Sequence, residues 1–164
     1  MKKVNEIQYF PHNTIQLMKI SLFGVPMSLE PGLTHELTLT VQESDTARHS
    51  GGETLPPVLS TPRLIGMLER TSHLAVLPYL DAGQTTVGTW VNVKHLAATP
   101  VGLEVRFHSE LIEVDRRRLR FKVEAWDAVE KIAEGEHERF IIDIGRFNQR
   151  LEEKIHHGDT EKNS

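Results

Sequence analysis

The order of apolar patterns in this chain predicts an α+β fold in which a long antiparallel sheet covers a single helix. Three observations carry that expectation. From Thr34 the chain alternates apolar and polar residues; a single stretch then repeats apolar residues at spacings of three and four; and four strand patterns follow without another helical one. With 164 residues and 38% hydrophobic content, the chain can form one domain with a real core and is short for two. The expected division is a poorly ordered extension over 1–29, a folded domain over 30–148 and a polar tail over 149–164.

In the extension, Lys2 and Lys3 precede a mildly apolar stretch from Ile15 to Leu29, the outline of a secretory signal. Lys19 interrupts it and Pro26 breaks it before any clear cleavage site, so it is read as an extension. Met27 stands just before the regular pattern begins and is an expected translation start. No apolar run approaches the length needed to span a bilayer.

The first strand places Leu37, Leu39 and Val41 on one face. Glu43 to Pro57, rich in Ser, Asp, Gly, Thr and Pro, reads as a loop. Ser60, Thr61 and Pro62 start the helix, because a hydroxyl can cap free backbone N–H groups and proline is tolerated in the first turn. Leu64, Ile65, Leu68, Thr71, Ser72, Ala75 and Val76 form its buried face up to Pro78, with Arg70 and His73 on the opposite, solvated side. In the strands that follow, Thr85, Val87, Thr89, Val91, Val93 and His95 share one face, then Val101, Leu103, Val105 and Phe107, then Leu119, Phe121, Val123 and Ala125; Ala133 to Asp143 forms the last. The consecutive apolar pair Leu111 and Ile112 predicts a bulge. After Phe147 the chain is charged and polar, and is expected to be frayed.

Composition excludes several function classes. A net charge of -4, from 19 Lys+Arg against 23 Asp+Glu, gives no electrostatic reason for a nucleic-acid partner. Arg116-Arg117-Arg118-Leu119-Arg120 reads as the solvated face of a strand. The chain has no cysteine, hence no disulfide, thiolate nucleophile or thiolate metal site, and a cytoplasmic location is permitted. None of the nine histidines pairs at the spacing of a zinc helix, so no metal is expected; no glycine pattern fits a phosphate loop or a dinucleotide fingerprint.

Chemically able residues concentrate between Ser60 and Gly102. Glu69 falls on the margin of the buried helix face, where a carboxylate is either a solvated helix-edge residue or a partly desolvated group with a shifted pKa. His95 is in phase with Val91 and Val93 and points inward, as a core histidine or a base would. Thr61 before proline is explicable as a helix cap. Thr61 and Glu69 stand about 12 Å apart along a helix at ~1.5 Å per residue. They cannot touch directly; His95, a bound substrate or a second subunit would have to join them.

Val58-Leu59-Ser60-Thr61-Pro62, the helix with Glu69, Thr86-Val87-Gly88-Thr89, His95-Leu96-Ala97-Ala98-Thr99-Pro100-Val101-Gly102 and Gly135-Glu136-His137-Glu138-Arg139-Phe140 together resemble the fluoroacetyl-CoA thioesterase-like family of hotdog-fold proteins. The resemblance runs from about Pro31 to Phe147, and the order and spacing of the motifs make it specific. It implies a long antiparallel sheet wrapped around one central helix, a homodimer with the site near its interface, and acyl-CoA thioester hydrolysis, with CoA entering as part of the substrate. Carried over, the family's Thr, Glu and His fall on Thr61, Glu69 and His95, its strand glycine on Gly88, and an arginine associated with CoA on Arg139. The chain departs from the family in the loop before the helix. Gly51-Gly52-Glu53-Thr54-Leu55 lacks the aromatic residues that gate the acyl pocket of the enzyme naming the family, so fluorinated selectivity is not transferred.

The implied chemistry needs a nucleophile, a proton acceptor and a site for the oxyanion. His95 is the expected general base for water or Thr61, Glu69 the group that attacks the carbonyl or orients His95, and the Gly88 N–H the oxyanion donor. The rival from another class is a non-catalytic acyl-CoA or acyl-ligand binding module. A hydratase on the same fold would use a different acid/base pair.

Overall fold

The computed structural model describes residues 28–161, with side chains to 156; the expected extension and the translation start at Met27 lie outside them, apart from Ser28 and Leu29. Strand β1 spans Thr34–Thr40, the short helix α1 Ala47–Gly51, the long helix α2 Thr61–Val76, then β2 Gln84–His95, β3 Glu104–Asp115, β4 Arg118–Trp126, β5 Lys131–Asp143 and helix α3 Ile144–Glu161. The strands form one five-stranded sheet in the order β1-β3-β4-β5-β2, antiparallel throughout, with β1 and β2 at its edges.

Alternation builds the core. Val105, Phe107 and Leu111 of β3 and Leu119, Phe121, Val123 and Ala125 of β4 are fully buried, and Leu64, Leu68 and Val76 of α2 pack into them. Truncating one of these leucines to alanine costs about 2–5 kcal/mol in a well-packed core. The expected helix face is observed with one change: Met67 is buried, whereas Ile65 is only partly covered. The bulge expected at Ile112 is present, as the β3–β4 register shifts between Leu111 and Glu113.

The cap of α2 differs from the simplest reading. Ser60 is the N-cap, its Oγ accepting from the Arg63 N–H at 3.3 Å, and Thr61 is the first helical residue. Asp45 fixes the approaching loop by accepting from Arg63 Nε at 2.7 Å and from the Gln42 N–H at 2.9 Å. The Thr61 hydroxyl is thereby released from capping.

Two other differences have clear causes. Helix α3 replaces the frayed tail as far as Glu161, built on a stripe of Ile144, Phe147, Leu151 and Ile155 at helical spacing. These residues stay exposed, and the charges between them hide the period in the sequence. In β2 the register slips between Gly88 and Trp90, leaving Thr89 as the bulged residue. The strand therefore changes phase. Before the bulge Thr86 is the buried residue rather than Thr85 or Val87; after it Val93 and His95 face inward as expected.

Gly135 sits where β5 passes tightly against β2: a Cβ there would overlap the Asn92 carbonyl oxygen and lie 2.7 Å from Val93 Cα. Backbone cannot yield as a side chain can. Gly135→Ala is expected to destabilise the chain by about 1–3 kcal/mol, the range for overpacking, read as a lower melting temperature; an unchanged melting temperature would contradict this packing.

Candidate active site

The site is laid along α2 and the inner face of β2. Released from capping, the Thr61 Oγ lies 3.0 Å from His95 Nδ1. On His95, Nε2 is enclosed without a hydrogen-bond partner of good geometry among the described residues. Burial pushes the His95 pKa down, with the backbone of Ala97 opposing, so the ring is neutral near pH 7. A neutral imidazole beside a hydroxyl can accept its proton, as the first step of nucleophilic or general-base chemistry requires.

Two turns along α2, the Glu69 carboxylate reaches over Gly88. A Cβ on Gly88 would stand 2.5 Å from Glu69 Oε1 and 3.2 Å from His137 Cε1, so only glycine leaves room for this carboxylate against the sheet. The bulge makes the arrangement possible. In a regular strand Gly88 and His95 would point to opposite faces; the slip at Thr89 turns both toward α2.

Behind Glu69 lies a buried polar network that the sequence did not reveal as a unit. Arg139 of β5 is 8% exposed. Its Nε donates to Thr86 Oγ1 at 2.8 Å and its Nη2 to the Thr86 carbonyl at 2.8 Å. Its Nη1 donates to the Glu69 carbonyl at 3.3 Å and to His137 Nε2 at 3.2 Å. His73 Nδ1 lies 2.9 Å from Thr86 Oγ1, so His73 faces β2 instead of the solvated side expected for it. A helical wheel put it outside because the wheel knows nothing of a buried hydroxyl on the facing strand. His137, 1% exposed, places Nδ1 2.7 Å from the Trp90 carbonyl and Nε2 3.8 Å from Glu69 Oε1. Burial first, and then the Arg139 charge, push the pKa values of both His73 and His137 down.

Of the residues singled out in the sequence, Thr61 and His95 meet directly, and Glu69 and Gly88 meet directly. The two pairs do not touch within the chain. Arg139 sits behind Glu69 with its guanidinium engaged, not on an open surface. His137 lies in the Gly135–Phe140 motif, and its shared phase with Arg139 in β5 is the signal that marks it.

One long helix laid on a five-stranded antiparallel sheet of this order is the hotdog fold of the thioesterase superfamily. The comparisons agree. The family model described as fluoroacetyl-CoA-specific thioesterase matches residues 41–144. The fluoroacetyl-CoA thioesterase of Streptantibioticus cattleyicolor is 37% identical over 126 residues, covering 74% of this chain and 89% of that protein. A crystal structure of a fluoroacetyl-CoA thioesterase superposes with a TM-score of 0.74 at 34% identity, covering 78% of this chain and 98% of the other. A thioesterase superfamily member from Thermus thermophilus superposes with a TM-score of 0.70 at 25% identity, covering 77% and 96%. The chain belongs to the fluoroacetyl-CoA-specific thioesterase family, a family of thioester hydrolases. Among the described residues no helix is long and apolar enough to cross a membrane.

Three histidines held neutral by burial also set a pH dependence of stability. Their folded pKa values lie below the ordinary value of about 6.5, so the unfolded chain binds more protons and stability falls as pH drops through that value. The contribution is complete above pH 7. The melting temperature is expected to decline between pH 7 and pH 5, before the carboxylates titrate, and a flat profile in that window would contradict it. His137→Gln should remove part of the slope.

Proposed function

We propose that this chain hydrolyses a small acyl-CoA thioester to the free acid and CoA, with the thioester carbonyl held between the Thr61–His95 pair and the Glu69 carboxylate. The contact of Thr61 Oγ with His95 Nδ1 at 3.0 Å carries the proposal, because it couples a hydroxyl to a base whose other nitrogen has no competing partner of good geometry. His95 takes the proton from Thr61 or from a water, and returns it to the departing CoA sulfur. Attack at the carbonyl carbon by that water or by the Thr61 oxygen forms a tetrahedral oxyanion that faces the Gly88 N–H, and its collapse breaks the C–S bond. Attack by water gives the free acid directly, whereas attack by Thr61 leaves an acyl ester that a water deprotonated by His95 then cleaves, releasing the acid and returning the proton to the Thr61 oxygen. Glu69 acts on the thioester or its attacking water directly, since it does not contact His95 within the chain.

The acyl-CoA substrate class is supported by the names of the relatives, one of whose structures, a threonine-to-serine mutant, is described in complex with acetyl-CoA. Selectivity for a fluorinated acyl group stays with the relative. Among Gly51 to Leu55 the largest side chain here is Leu55, half exposed and packed against Gly51. Arg139 enters through the Glu69 network rather than the CoA phosphates, because its buried guanidinium already makes four hydrogen bonds.

The working unit in this proposal is a homodimer in the cytoplasm. Among the described residues strand β2 is a twelve-residue open edge with Trp90 and Val91 exposed on it, and an edge of that length favours pairing with another copy. Pairing there would bring a second Glu69 near each Thr61–His95 pair.

Free-thiol release from a panel of short acyl-CoAs tests the reading. Turnover is expected, with His95→Ala and Glu69→Gln each slowing it on the order of 10²-fold or more; binding without turnover on every member would favour an acyl-CoA binding module. Gly88→Ala should lower kcat with little loss of melting temperature, because the added methyl meets the Glu69 carboxylate rather than backbone. Mixed dimers of His95→Ala and Glu69→Gln chains report whether the two groups of one site come from different subunits: recovery of about a quarter of wild-type activity is expected if they do.

A further inference from the structure

The proposed hydrolysis needs Glu69 ionised and open, yet a buried arginine stands next to it. Arg139 and Glu69 attract one another, and a guanidinium within reach of a carboxylate ordinarily closes on it in a bidentate pair. It does not do so here. Among the described residues no hydrogen bond reaches the Glu69 carboxylate, and Arg139 Nη1 is directed at the Glu69 carbonyl and at His137 Nε2 instead.

The state of His137 explains how. A distance of 2.7 Å between Nδ1 and the Trp90 carbonyl requires the proton on Nδ1, because a carbonyl only accepts. Nε2 is then bare and can only accept; it takes the Arg139 hydrogen and cannot donate to Glu69 Oε1, 3.8 Å away. The ring is fixed by stacking on Phe121, with centroids 6.4 Å apart. Its acceptor position is set by Trp90, the first residue after the β2 bulge. The groups facing His137 are Glu69 from α2 and Arg139 and Glu138 from β5; burial outweighs the two carboxylates and keeps it neutral.

We infer that His137 is a positioning residue for Glu69: by accepting the Arg139 Nη1 hydrogen it holds the guanidinium off the carboxylate and leaves both Glu69 oxygens free for the thioester and its water. Thr86 completes the restraint by taking Nε and Nη2. The cation stays beside Glu69 but is denied the direct pair that would occupy its carboxylate oxygens. The Gly88 and His137 walls hold the carboxylate in place without a bond.

This inference rests on the proposed hydrolysis, and the experiment separates the two. Wild type, His137→Leu and His137→Gln are compared for kcat and KM on the best acyl-CoA of the panel, with melting temperatures measured alongside. In H137L the freed guanidinium closes on Glu69: kcat falls about tenfold or more with KM within about twofold. The glutamine amide oxygen can accept the Arg139 hydrogen, so H137Q recovers kcat to within about threefold of wild type. If H137L is too unstable to assay, His137→Asn replaces it, as its shorter amide reaches the Trp90 carbonyl but not Arg139. Equal kcat across the folded variants, or a loss in H137L that H137Q does not recover, overturns the inference alone; a wild-type chain that turns over none of the thioesters overturns it together with the hydrolysis.

Discussion

The approach of Glu69 to Gly88 is the constraint on which the rest of the site depends. A carboxylate from the central helix can lie against the sheet only where the strand has no side chain and the backbone is turned toward it, and β2 meets both conditions at one place. The bulge at Thr89 does more than present Gly88. It reverses the phase of the strand so that His95 also faces the helix, and it sets the Trp90 carbonyl where it can orient His137. One inserted residue thus aligns three parts of the site.

Polar groups at this depth are stable only because they satisfy one another. Arg139, Thr86, His73 and His137 form a connected set in which Arg139 donates four hydrogen bonds, and burial then selects the neutral form of both histidines. The catalytically able atoms are left open: among the described residues no hydrogen bond reaches the Glu69 oxygens, whose side chain is 41% exposed, and the enclosed His95 Nε2 has no partner of good geometry. Open polar groups beside a hydrogen-bonded network are where a ligand can bind.

Much of the fold was legible because alternation and helical spacing report burial directly. Leu119, Phe121, Val123 and Ala125, the bulge at Ile112 and the face of α2 from Leu64 to Val76 follow from the pattern of apolar residues alone. Where polar residues are buried the pattern fails. Thr86 and His73 fall outward by the period of the apolar residues around them, and a bulge at Thr89, flanked by residues that suit a strand equally in either phase, leaves no mark in the sequence. Helix α3 escaped notice because its apolar stripe is diluted by charge.

Candidate residues were legible as types, but not as a geometry. The sequence placed Thr61, Glu69, His95 and Gly88 in one stretch; the structure divides them into two contacting pairs and shows that Ser60, not Thr61, caps the helix. Whether the pairs serve one thioester is the central claim, and a double-mutant cycle on kcat between Glu69→Gln and His95→Ala tests it most directly. Groups that act on one substrate as a unit are strongly non-additive, so the double variant should be about as slow as the slower single variant. Losses that multiply as for independent sites would contradict the account.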